Sequence, residues 1–151
     1  MRVNYWFTSS NMIGARIIQR FTSFKYSHVG IEIVDEGRVV DATMFRGVAE
    51  SHIDDFLSRY GQSEALCYNM PNPDGFLKFI NEQIGKSYDY TAIAAFPFAR
   101  DWEKLHSWHC SEMGIKSAVE GGLIEKPRLP KSRLTPRDCY ILLPKAGQFV
   151  I

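Results

Sequence analysis

Alternation opens the chain. Val3, Tyr5 and Phe7 are separated by Asn4, Trp6 and Thr8, a period of two that predicts a strand over 2–8. The spacing then lengthens: Ile13, Ile17, Phe21 and Phe24 predict a helix from about 11 to 21, capped by Ser10 or Asn11. Its apolar face is expected to point inward and Arg16 and Arg20 outward. H-V-G-I-E-I-V at 28–34 predicts a second strand, and D-E-G at 35–37 turns it into a third, R-V-V-D-A at 38–42. A-E-S-H-I-D-D-F-L at 49–57 reads as a short helix and A-L-C-Y-N at 65–69 as another strand. Residues 71–85 carry helix punctuation. Asn72 caps, Pro73 suits the first turn, Phe76, Leu77, Ile80 and Ile84 form one face, and Gly85 ends it. A further helix is expected from Cys110 to about Glu120, stopped by Gly121-Gly122. Residues 126–136 read as loop and C-Y-I-L-L at 139–143 as a closing strand. The hairpin makes the sheet antiparallel, and its mixture with helices gives an α+β class.

Composition narrows the function. The 151 residues hold no repeat, low-complexity tract or linker, so one domain over 1–151 is expected. A net charge near +1 supplies no basic stripe, which argues against a nucleic-acid partner. No apolar run approaches the roughly 18 residues that a transmembrane helix needs. The first ten residues lack the apolar stretch and cleavage site of a signal peptide. A cytoplasmic location is therefore expected, with release at lysis as the alternative route. Oligomeric state is not fixed by the sequence.

Cys67, Cys110 and Cys139 are odd in number, widely spaced and form no C-x-x-C pair, so neither a disulfide framework nor a zinc knuckle is expected. Cys67 and Cys139 lie in apolar, strand-like runs where a free thiol packs. Cys110 differs, because the first turn of a helix favours a thiolate and offers N–H groups to an oxyanion. It needs a base. His109 is its chain neighbour and points away from it, and His52 lies on a polar helical stretch. His28 opens an apolar strand with Gly30 two positions on along the same face, leaving room for a close approach. Asp41 and Glu32 are rival acids for orienting that imidazole. A two-residue turn at Glu36-Gly37 would put Asp41 on the face of His28 but several residues along, and a three-residue turn would flip it. His106, His109 and Cys110 lack the paired spacings of a zinc site, so no metal and no cofactor is expected. Tyr88, Tyr90, Phe96, Phe98, Trp102 and Trp108 read as core or cleft lining.

Four segments taken together resemble a known family: K-Y-S-H-V-G-I-E at 25–32, V-V-D-A at 39–42, I-G-K-S-Y-D-Y at 84–90 and H-C-S-E-M at 109–113. In this order they are similar to the circularly permuted papain-like hydrolases of the NlpC superfamily, YaeF/YiiX-like branch. L-T-P-R-D at 134–138 matches the closing element of that branch. The resemblance implies a papain-like α+β fold, a small antiparallel sheet or barrel packed against helices. It further implies Cys110 as nucleophile, His28 as base, Asp41 as orienting acid, and Tyr88, His109 and Ser111 near the substrate. Relatives act, or are thought to act, on cell-wall peptides or on acyl-lipid and N-acyl amide bonds, so a peptide or acyl substrate follows. Two positions depart from the family pattern. Its acid is usually glutamate where this chain has Asp41, and an aromatic residue commonly stands where this chain has His109. The rival expectation is a catalytically silent module on the same fold that binds a peptide, lipid or cell-wall fragment.

Overall fold

The structure is a computed structural model that describes residues 1–10, 13–88, 107–128, 134–145 and 148–150. Its first strand, β1 (Arg2–Ser9), lies inside the sheet because both of its faces carry side chains that bury well. Val3, Tyr5 and Phe7 point to one side and Trp6 to the other. The remaining strands are β2 (His28–Ile33), β3 (Arg38–Thr43), β4 (Gly47–His52), β5 (Gln62–Asn69) and β8 (Gln148–Val150). They form one open antiparallel sheet in the order β4-β3-β2-β1-β5-β8. Two short strands, β6 (Ser87–Tyr88) and β7 (Ser107–Trp108), pair in parallel beside it.

The main core lies on one face of the sheet. Tyr5, Phe7, Ile31, Ile33, Val40 and Leu66 meet α3 (Pro73–Gln83), α4 (Cys110–Glu120) and α5 (Pro136–Leu142). A smaller cluster on the opposite face packs Trp6, Val39 and Ala65 under Phe56 of α2 (Ile53–Ser58). The remaining helix, α1 (Ile13–Thr22), follows β1.

Four expectations are corrected. Residues 47–52 are strand, since pairing with β3 satisfies a backbone whose helical preference was only local, and α2 starts at Ile53. C-Y-I-L-L belongs to helix α5. Thr135 and Asp138 make a reciprocal capping box, Pro136 stands in the first turn, and five apolar residues do not distinguish strand from buried helix. The chain instead closes its sheet with β8. In α1, Ile17 and Phe21 face solvent, and at the end of α3 so does Ile84, which lies just past the helix.

The fourth correction concerns the β2–β3 turn. It occupies Val34–Gly37, a 3-10 turn closed by Gly37 in the left-handed region (φ 60°). Ile33 therefore pairs with Arg38 and Gly30 with Asp41. Compared with a turn at Glu36-Gly37, this keeps Asp41 on the same face and slides it two residues toward His28.

Candidate active site

β2 runs past its last pair with β3, so His28 and Val29 extend beyond the ladder. α4 begins at this end of the sheet. Its first residue, Cys110, is buried, with the Val29 N–H near enough to lower its thiol. His109 caps the helix: its Nδ1 accepts the Glu112 N–H at 3.3 Å. The ring is thus turned to the helix end, as its chain position beside Cys110 implied. Ser111 is buried, with its hydroxyl 3.9 Å from the Cys110 sulphur.

His28 reaches both partners from the strand end. Its Nε2 lies 2.9 Å from Asp41 Oδ2, and the ring lies close enough to Cys110 for each group to shift the other's titration. The four-residue turn places Asp41 opposite Gly30, one diagonal from His28, so no bulge is needed. Glu32, the rival acid, is occupied elsewhere and accepts Asn4 Nδ2 and Trp6 Nε1, each at 2.7 Å.

Gly30 shows what lies against β2 beside the site. A Cβ there would stand 2.5 Å from the Phe56 ring, so the missing side chain is the slot that Phe56 fills. Phe56 and Tyr60 cover the imidazole, with Tyr60 stacked at 5.4 Å between centroids. Behind it, Asp41 has no solvent exposure and its Oδ1 faces Arg46 at 3.1 Å and Arg59 at 3.8 Å. Phe56, Tyr60, Arg46 and Arg59 were not found from sequence. Gly30 was the visible sign that something approaches β2, but what approaches comes from distant segments.

The electrostatics follow from burial and these contacts. Burial alone would push the Cys110 thiol up, but His28, the Val29 N–H and the Ser111 hydroxyl together bring it below its ordinary value. Burial likewise opposes the imidazolium, but Cys110 as it ionises and the Asp41 carboxylate on the ring hold His28 well above the usual imidazole value. The two shifts describe one coupled unit that favours thiolate and imidazolium. Burial pushes the Tyr60 phenol up, so it is neutral near pH 7. Cys139 is pushed up strongly by burial and is an inert thiol against Gly114.

This arrangement sits in a fold already seen elsewhere. The chain shares its fold with the metalloprotein yiiX (DUF1105) of Escherichia coli O157:H7. The match has a TM-score of 0.70 and covers 98% of this chain and 94% of that one. At 14% identity the likeness is one of fold: mixed α+β, an open antiparallel sheet packed against helices. No protein-family model matches the chain, and no curated protein matches it.

Among the described residues no group of three or more His, Cys, Asp and Glu is placed to hold a metal ion. His106, Asp89, Tyr90, Phe96, Phe98 and Trp102 lie outside the described residues, as do the side chains of Tyr88 and Trp108. No described helix is long and apolar enough to cross a membrane.

Proposed function

We propose that the protein is a thiol-dependent hydrolase of amide or ester bonds, of the permuted papain-like kind. The supporting observation is the placing of buried Cys110 at the N-terminus of an 11-residue helix beside His28, whose Nε2 lies 2.9 Å from Asp41, contacts that lower the thiol and raise the imidazole. Cys110 is the nucleophile. Its sulphur, already paired with imidazolium, attacks the carbonyl carbon, and the first-turn N–H groups of Cys110 and Ser111 hold the oxyanion. His28 passes its proton to the leaving amine or alcohol as the thioester forms. Water, deprotonated by His28, then releases the acid and restores the thiol. Asp41 fixes the ring through Nε2, which leaves the other nitrogen for sulphur. Tyr88, His109 and Ser111 are assigned to the substrate pocket. A peptide or acyl compound is the proposed substrate class.

Iodoacetamide labelling across pH, with mass-spectrometric mapping, tests the nucleophile. Cys110 should be alkylated selectively at or below neutral pH, and His28→Ala should move the onset up toward that of an ordinary thiol. Equal, slow labelling of all three cysteines would sink the proposal. Turnover is tested with an activated ester, whose burst of released alcohol should vanish in Cys110→Ala.

A further inference from the structure

We propose that the end of the sheet carrying Cys110 and His28 docks onto a bilayer surface containing anionic lipids. The contact is made by two apolar-tipped projections, the basic helix α1 and the β3–β4 turn.

The topology puts both at that end. β1 reaches it with Thr8 opposite His28 and leads into α1, while β3 reaches it just past Asp41 and turns through 44–46 into β4. Sequence periodicity predicts the large apolar residues of α1 to face inward. Two of them face outward instead: Ile17 is 47% and Phe21 61% exposed. The inner face is made by Ala15, Ile18, Gln19 and Thr22, and it is tied down through Gln19 Nε2 to the Lys25 carbonyl and Arg137 to the Thr22 carbonyl. In the turn, Phe45 is 84% exposed and Met44 39%. Singly exposed apolar side chains are ordinary, but four gathered at one end of the sheet suit a surface that receives them.

Charge selects the surface. Ile17 follows Arg16 and Phe21 follows Arg20, so the two exposed apolar side chains of α1 each have a guanidinium beside them in sequence, whereas Arg46, next to Phe45, is turned back to Asp41. No Asp or Glu occurs in residues 1–31 or 42–49, although the whole chain is nearly neutral. A protein partner of ordinary size would want a contiguous apolar centre. Here the apolar tips stand on two separate projections. That arrangement suits lipid, where rings enter the acyl boundary and guanidinium groups sit at the phosphates.

Vesicle flotation of the full chain tests this, comparing phosphatidylcholine alone with phosphatidylcholine containing roughly one-third phosphatidylglycerol. Binding should be at least about tenfold stronger to the anionic vesicles and should weaken as salt is raised. The double variant Phe21→Ser/Phe45→Ser should lose at least about tenfold in binding, as should Arg16→Gln/Arg20→Gln. All four positions are exposed, and unchanged thermal melts would show that the fold is intact. Cys110→Ala should bind like the parent, and its labelling test is read without lipid, so the docking and hydrolase readings fail separately. Absence of vesicle binding at low salt overturns the proposal, as does binding that the variants leave unchanged. Ultracentrifugation showing a dimer that Phe21→Ser/Phe45→Ser dissolves, with no vesicle binding, would assign the surface to a second copy.

Discussion

A carboxylate without solvent must be matched by its neighbours, and Asp41 is matched by His28 through Oδ2 and by Arg46, with Arg59 further off, through Oδ1. Asp41→Asn keeps the shape and removes the charge that favours imidazolium. His28 should then fall and Cys110 rise, narrowing from both sides the pH range in which thiolate and imidazolium coexist. Alkylation of Cys110 near pH 6 should slow by about tenfold or more, since one pKa unit is a tenfold change in thiolate. Arg46→Ala leaves a buried charge short of a partner and should cost about 1–3 kcal/mol in urea unfolding. Combined with Asp41→Asn it should cost less than the sum of the two, which a double-mutant cycle measures directly.

Elements place these residues, and two can be tested as such. Gly30→Ala would drive a methyl group into the Phe56 ring, lifting α2 and with it the Tyr60 stack over His28. A loss of about 1–3 kcal/mol is expected, together with slower Cys110 alkylation. At α5, Thr135→Ala removes half of the capping box and should cost about 1 kcal/mol while leaving the alkylation profile unchanged. These two elements also mark what was legible. The His28 strand and the Cys110 helix could be read because period, cap and terminal glycines lie within each segment. In α5 the start signal of Thr135, Pro136 and Asp138 lies ahead of an apolar run that, taken alone, fits a strand as well as a buried helix. The β4 residues looked helical because strand pairing with β3 is not a property of the segment. Tyr60, Arg46 and Arg59 left no local trace at all, since their role depends on where α2 and the β3–β4 turn return over the sheet.

At the scale of the molecule, Glu64 ties β5 to two other parts of the chain, accepting Tyr26 and Tyr140 hydroxyls at 2.7 and 2.6 Å and pairing with Lys25 at 3.0 Å. Burial would raise its carboxyl, but these three partners hold it below the ordinary value. Its stabilising contribution is therefore complete above the ordinary carboxylate value and is lost as pH falls through the lowered one. Glu64→Gln should flatten the acid side of the melting-temperature profile, and Glu64→Ala should cost about 2–3 kcal/mol near pH 7 by stranding both tyrosines. The turn at Val34–Gly37 acts across a similar span. It lies at the end of the hairpin away from the site, yet it sets which β3 residue meets Gly30. Strand pairing moves side chains between faces in single steps and along a face in steps of two, so this turn works as a ratchet pawl for the acid. Gly37→Val, strained at its left-handed position, should let β3 slip one tooth, carry Asp41 to Glu32 and blunt the thiol without touching a residue near it.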